Sequence, residues 1–362
     1  MTHIFFTGYP GFLGSAVLER VLAETDEETT VTCLVQPKFM KKAERRLPVI
    51  AAWAETSPER VSLVTGDITA ENLGLGDVEA LYDTVDTVFH LAAVYDLGVS
   101  REVAWAVNVE GTKNVLSFAQ AADADRFHYV STCYVSGEHD GIFEETDLDV
   151  GQSFNNHYEE SKFEAEVAVQ QATRRGLATT IYRPAIVVGD SDTGGTQKFD
   201  GPYYLLQWML RQRKRVVLPV VGNANRTEVN LVPRDFVARA IAHLSQLENS
   251  KDTVYQLCDP DPPTAAEVLS AFETATDRTL LRIPMPKVVV QNALDYVPGV
   301  YDLFKIHPAV VDYFDHPTSY VCPNTIRDLH GSGIACPPLV TYAPALVSFM
   351  QKHPKLGWDA MV

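Results

Sequence analysis

Over the first 190 residues, short apolar runs alternate with stretches that repeat apolar residues every three or four positions. The runs are His3–Thr7, Thr30–Val35, Val61–Thr65, Thr87–Leu91, Phe127–Ser131 and Thr179–Tyr182. Phe12–Leu22 carries apolar residues at helical spacing, and Glu159–Thr173 is rich in the helix formers Glu, Ala, Lys and Gln. Strand and helix in alternation predict a parallel sheet flanked by helices.

After Gly189 the texture changes. Asp190–Pro202 is polar and Gly-rich and predicts a loop. Tyr203–Arg213 resumes a helical pattern, Asn230–Asp235 leads into a helix over Phe236–Leu247, and Thr253–Leu257 is another strand. From Pro260 onward prolines are frequent and the predicted helices are short. The expected architecture is α/β, with a doubly wound parallel sheet in residues 1–190 that 228–258 rejoins. A smaller C-terminal α/β substrate-binding domain is expected from 191–227 and 259–362.

Composition narrows the function classes. The 362 residues are 46% hydrophobic and 21% charged, which excludes a disordered or fibrous chain. Thirty Lys and Arg against 47 Asp and Glu leave a formal charge of -17. Such a surface repels phosphate backbones and anionic lipid, so neither nucleic acid nor a membrane surface is an expected partner. No apolar stretch reaches the roughly 18 residues of a membrane span. Met1-Thr2-His3 leads into the first strand with no leader pattern, and the expected location is the cytoplasm. Cys33, Cys133, Cys258, Cys322 and Cys336 include no CxxC pair, and the ten histidines show no ligand spacing. Neither a disulfide framework nor a metal site is expected.

Chemistry enters at Thr7-Gly8-Tyr9-Pro10-Gly11-Phe12-Leu13-Gly14, between the first strand and the first helix. Gly8 permits a tight turn, Gly11 lets backbone approach a pyrophosphate, and Gly14 lets helix and strand pack closely. Free amides and the dipole at the helix start favour the phosphates. The spacing is GxxGxxG, and its strand-turn-helix setting predicts a dinucleotide site. Gln36 follows the second strand, where a carboxylate would bind the ribose 2′-hydroxyl of NAD. With Lys38, Lys41 and Lys42 nearby and no carboxylate to repel a 2′-phosphate, NADP is favoured and NAD is the alternative. Asp67 and Ile68 follow the third strand, beside the expected adenine. Leu91, Ala92 and Ala93 offer small side chains where a cofactor passes.

The catalytic candidate is Tyr158-Glu159-Glu160-Ser161-Lys162. Residues four apart share a helix face, so the Lys162 ammonium is expected beside the Tyr158 phenol, lowering its pKa toward the working range. A second YxxxK, Tyr301–Lys305, follows no predicted strand and is read as surface helix. Ser131 and Thr132, ending the fifth strand, supply hydroxyls for a substrate carbonyl. Cys133, as neighbour of Thr132, is expected to face away. Tyr95 and Tyr134 are candidate substrate-pocket residues. His157 is read as a loop residue, and the stripe Tyr203–Leu210 as core packing.

As a set, Thr7–Gly14, His90–Ala93, Ser131–Gly137, Tyr158–Lys162 and Arg183-Pro184 resemble the extended short-chain dehydrogenase/reductase superfamily. Ser131–Gly137 and Arg183–Ser191 are most similar to its fatty acyl-CoA reductase and thioester reductase-domain branch. The resemblance implies a Rossmann domain and a Ser/Thr–Tyr–Lys triad. Thr132 takes the hydroxyl role with Ser131 as second candidate, Tyr158 is the general acid, and Lys162 binds the nicotinamide ribose. Asn108 would support the active-site helix, and Pro184 with Ala185 and Val187 would back the nicotinamide. Gln36 stands where the branch often has arginine. The implied activity is hydride transfer from NAD(P)H to a small-molecule carbonyl: an acyl thioester, or a hydrophobic aldehyde or ketone. A homodimer is compatible with such folds. The rivals are an NAD-dependent nucleotide-sugar epimerase or dehydratase with the same triad, and a non-catalytic dinucleotide-binding regulator.

Overall fold

The computed structural model describes residues 2–96, 98–286, 288–290, 292, 316–354 and 356. Seven strands form one sheet: β1 (His3–Thr7), β2 (Thr30–Val35), β3 (Val61–Thr65), β4 (Thr87–His90), β5 (Arg126–Val130), β7 (Thr179–Pro184) and β11 (Thr253–Leu257). Their order is β3-β2-β1-β4-β5-β7-β11, and every pairing is parallel. The predicted strands are all present, with the fourth and fifth ending one residue earlier and the sixth running on to Pro184. Four of the others match residue for residue.

A parallel sheet is buried on both faces, and the strands alternate accordingly. Phe5 of β1 and Leu34 of β2 pack into one core, while Ile4, Phe6, Val31, Cys33 and Val35 pack into the other. The second of these cores is covered by α1 (Phe12–Glu24), α2 (Met40–Trp53) and α8 (Arg234–Ser245). The opposite face holds α3 (Glu79–Tyr82), α5 (Gly111–Ala121) and α6 (His157–Arg174). A short α4 (Arg101–Ala104) enters α5 through a wider π turn, Trp105–Glu110.

Among the described residues, three two-stranded parallel pairs lie outside this sheet: β6 (Gly141–Phe143) with β13 (Thr318–Tyr320), β8 (Ile186–Val188) with β10 (Leu231–Pro233), and β9 (Arg215–Val220) with β12 (Thr279–Pro284). A third core is built by α7 (Pro202–Arg211), α9 (Ala265–Thr276) and the last described helix, α11 (Leu339–Lys352), which follows α10 (Pro323–Leu329). Tyr203, Leu205, Leu206 and Met209 of α7 are buried in it, as expected of a packing stripe. The expectation of only short helices after Pro260 is corrected: α9 has 12 residues and α11 has 14, the latter continuing through Pro344. Thr264 and Glu267 form a reciprocal cap that starts α9. The second YxxxK, Tyr301–Lys305, lies outside the described residues. Among the described residues no helix is long and apolar enough to cross a membrane.

Strand order reverses between β1 and β4, which opens a crevice at the carboxyl ends of the strands.

Candidate active site

A cavity of about 400 Å³ fills that crevice, within the range of small-ligand sites. Gly8, Tyr9, Gly11, Phe12, Leu13 and Gly14 line it from β1, Gln36 from β2, and Asp67 and Ile68 from β3. Leu91, Ala92, Ala93 and Tyr95 reach it from β4, Ser131, Thr132 and Tyr134 from β5, Tyr158 and Lys162 from α6, and Pro184, Ala185 and Val187 from β7 and β8. Lys38 and Asn108 do not line it.

The glycine turn is built for a close approach. Gly8 has φ +97°, the left-handed region, and an added Cβ would sit 2.8 Å from the Leu91 carbonyl carbon. A Cβ on Gly14 would overlap the Gly8 carbonyl. No side chain caps α1 at Gly11, and Phe12, Leu13 and Gly14 of its first turn line the cavity. This cradle fits a dinucleotide pyrophosphate.

Gln36 does not project freely. Its amide donates to the Asp67 carboxylate at 2.9 Å, so two predicted cofactor residues are joined. Lys38 is corrected: the single turn Pro37–Phe39 aims it outward, exposed, with its ammonium 5.1 Å from the Phe39 ring centroid. One helical turn later, Lys42 lines the cavity and donates to Gln197 at 3.2 Å. Burial and the nearby Arg46 lower its pKa.

The helix α6 starts two residues before its predicted first residue because Asn156 accepts from the Glu159 amide at 3.0 Å, while Glu159 accepts from the Asn155 amide at 3.0 Å. His157 is therefore helical, not in a loop. Tyr158 is buried at the cavity wall, which Thr132 also lines. The Thr132 hydroxyl donates to the Pro184 carbonyl at 3.4 Å and accepts from the Tyr134 amide at 3.2 Å. The Ser131 hydroxyl is buried on the same wall without a partner, which suits it to bond a ligand.

The expected coupling of Tyr158 to Lys162 is not what the structure holds. Lys162 donates to the Tyr129 hydroxyl at 2.7 Å and the Val130 carbonyl at 2.8 Å. Burial raises the Tyr158 phenol well above 10, opposed by the nearby Thr132 hydroxyl. Burial also brings the Lys162 ammonium down to about 7, with Glu166 opposing.

Asn108 sits in the π turn behind the wall. It accepts from the Val94 amide at 2.9 Å and donates to the Val94 carbonyl at 3.2 Å and to Ser161 Oγ at 2.9 Å. It thus ties the segment after β4 to α6. Cys133 faces away, as expected, donating to the Arg183 carbonyl at 3.0 Å. Tyr95 packs edge-on against Tyr158, with ring centroids 5.0 Å apart, and Tyr134 is a buried wall residue. Among the described residues no cluster of His, Cys, Asp and Glu could hold a metal ion.

Residues 6–241 match the family model described as male sterility protein. This chain belongs to that family. It is an extended short-chain dehydrogenase/reductase of the thioester-reductase branch. A component of the linear gramicidin synthase of Brevibacillus parabrevis is 29% identical over 353 residues, 92% of this chain and 7% of that protein. The large subunit of L-2-aminoadipate reductase from Penicillium chrysogenum is 29% identical over 259 residues, 66% of this chain and 18% of that one. The chain spans less than a fifth of either relative. The crystal structure of the terminal R domain from the myxalamid PKS-NRPS biosynthetic pathway superposes with a TM-score of 0.82 at 26% identity. That likeness covers 99% of this chain and 92% of that one. The protein is an oxidoreductase, and its cofactor is a nicotinamide dinucleotide.

Sequence reasoning missed several residues of the reductase's cavity. Val130 stands at a strand end, where position alone points to the crevice. Thr196, Gln197, Lys198 and Asp200 come from the loop Asp190–Pro202, which folds back over the cleft. Nothing local marks that return, because it is set by how the loop packs. Val229, Leu231 and Val268 reach the cavity from the third core.

Proposed function

We propose that this reductase uses NADPH to reduce the carbonyl of an apolar acyl thioester, or of a hydrophobic aldehyde or ketone. The observation that carries the reading is that Tyr158, Thr132 and Ser131 line one cavity together with the glycine cradle and a set of apolar side chains. When bound, the nicotinamide supplies the hydride. Tyr158 gives its proton to the carbonyl oxygen, while the Thr132 and Ser131 hydroxyls polarise that oxygen. A phenol held protonated by burial is the form a reduction requires. With a thioester, the C–S bond then breaks, and the products are an aldehyde and a thiol.

Lys162 binds the nicotinamide ribose, Asn108 holds α6 in place, and Pro184, Ala185 and Val187 back the nicotinamide. The glycine turn receives the pyrophosphate, and Asp67 with Ile68 lies beside the adenine. Lys42, not Lys38, supports the NADP preference, since it alone of the flanking lysines lines the cavity. Ile186, Pro202, Val229, Leu231 and Val268 add apolar lining to the cavity, and Lys198 and Asp200, which also line it, pair with each other. That lining favours an uncharged acyl chain. The described residues of 191–227 and 259–362 form the substrate-binding unit, with the core around α7, α9 and α11 as its support.

The test follows reduced-nicotinamide absorbance with acyl-CoA, aldehyde, ketone and nucleotide-sugar panels, in wild type and Tyr158→Phe. NADPH oxidation with an apolar carbonyl, falling about 10²–10⁴-fold in the variant, is the expected result. Conversion of a nucleotide sugar with retained NAD, and no net oxidation of NADPH, would make the protein an epimerase.

A further inference from the structure

Lys162 is 3% exposed, and an ammonium so buried needs acceptors for its three donors. The carboxylate that acts on it, Glu166, is committed to Arg183 at 2.6 Å. Two donors go to Tyr129 Oη at 2.7 Å and the Val130 carbonyl at 2.8 Å, and the Tyr129 ring centroid lies 4.3 Å from the nitrogen. Tyr129 is itself 1% exposed, next to last in β5 and two residues before Ser131.

We propose that Tyr129 is the positioning residue of Lys162: its phenol oxygen, with the Val130 carbonyl, fixes the ammonium at the cavity floor and leaves one N–H for the cofactor ribose. The proposal rests on the reading of Lys162 as the ribose ligand.

The other groups around the ammonium cannot substitute. Tyr158, one turn earlier on α6, lies against Thr132 and packs edge-on against Tyr95. His90 of β4, stacked on Tyr129 with centroids 5.7 Å apart, is held neutral: burial and the Lys162 charge bring it down to about 3. Its hydrogen bonds are spent. Thr112 Oγ1 donates to the Asn108 carbonyl at 2.6 Å, so it accepts from His90 Nε2 at 3.0 Å, and His90 Nδ1 accepts from the Thr7 hydroxyl at 2.8 Å. Through its stacking on His90, Tyr129 lies against a buried hydrogen-bonded set reaching Thr7, immediately before the glycine turn. Val130 contributes backbone only, so Tyr129 is the anchor that a side-chain substitution can remove.

The test reads Lys162 itself. Side-chain ¹⁵N NMR of cofactor-free protein, titrated from about pH 5 to 10, follows its ammonium, assigned by its loss in Lys162→Met. Tyr129→Phe keeps the ring and its volume but removes the acceptor, so the Lys162 midpoint should move acidward by about one pH unit. NADPH binding by fluorescence should then weaken about tenfold near pH 7.5, with its loss on alkalinisation displaced by the same amount. An unchanged Lys162 midpoint in Tyr129→Phe overturns the proposal. Should that variant not fold, 3-fluorotyrosine at position 129 weakens the same acceptor, and the same direction or its absence decides. A midpoint that shifts while wild type binds no NADPH would sustain the anchor and sink the cofactor reading beneath it.

Discussion

Arg183 and Glu166 meet at 2.6 Å with neither side chain exposed. The remaining Arg183 donors reach the carbonyls of Asp147 at 2.6 Å and Glu144 at 3.4 Å, so β7, α6 and the segment behind them share one buried charge pair. Such a pair is stable only while both charges are present and fully bonded. Arg183→Met or Glu166→Gln should each cost about 3–5 kcal/mol in denaturant unfolding. The double variant Arg183→Met, Glu166→Leu should lose much less than the sum. Additive losses would show that the two residues do not act as a pair.

Gly14 faces the Gly8 carbonyl across the turn that would receive the pyrophosphate. Gly14→Ala has no space for its methyl and must push α1 away from β1. A strain of about 1–3 kcal/mol corresponds to roughly five- to 150-fold weaker dinucleotide binding. Calorimetric titration with NADPH and NADH checks this, and both cofactors should weaken alike, because the pyrophosphate is common to them. Unimpaired binding of either would remove the turn from the cofactor site.

The sheet was legible because its signals are local. Continuous apolar strands such as Ile4–Phe6, turn glycines, and an Asn-x-x-Glu cap ahead of α6 each act over a few residues. The cleft-facing positions at strand ends follow from topology once the sheet is recognised, which is why Gly8, Leu91, Ser131 and Pro184 fall together. What was not legible depends on distant packing. Lys162 shares a helix face with Tyr158, yet Tyr129, 33 residues away in the chain, accepts its hydrogen bond. Lys38 and Lys42 are equivalent in the sequence, and only the turn Pro37–Phe39 separates outward from inward. The return of Gln197 and Lys198 over the cleft has no sequence signature at all.

Lys162 also carries a cost to the fold. Its unfolded pKa is near 10.4 and its folded value is about 7, so between those limits the unfolded chain binds more protons. Its contribution is therefore most unfavourable below pH 7 and fades as pH rises toward 10. Lys162→Met, which fills the same space without charge, should raise Tm of the cofactor-free protein by several degrees at pH 6–7. The advantage should vanish near pH 10. Thermal scans of both proteins at about five pH values between 6 and 10 settle it; an advantage that grows with pH would mean the buried lysine is not depressed.

Lys42 lines the cavity beyond Gln36, whose amide is already engaged with Asp67. A 2′-phosphate placed there would gain an ammonium that at present donates to Gln197 at 3.2 Å. A hydrogen bond to a charged group contributes about 1.5–3 kcal/mol, so Lys42→Ala should weaken NADPH binding about ten- to a hundredfold. NADH has no group at that position and should bind the variant and the wild type equally. Lys38→Ala, on the exposed side of the Pro37–Phe39 turn, should change neither cofactor. The comparison is made by fluorescence titration of the three proteins with each reduced cofactor at low and moderate salt. A Lys42→Ala loss shared equally by NADH would assign the lysine to the loop over the cleft, whereas a loss confined to Lys38→Ala would move the phosphate site outward.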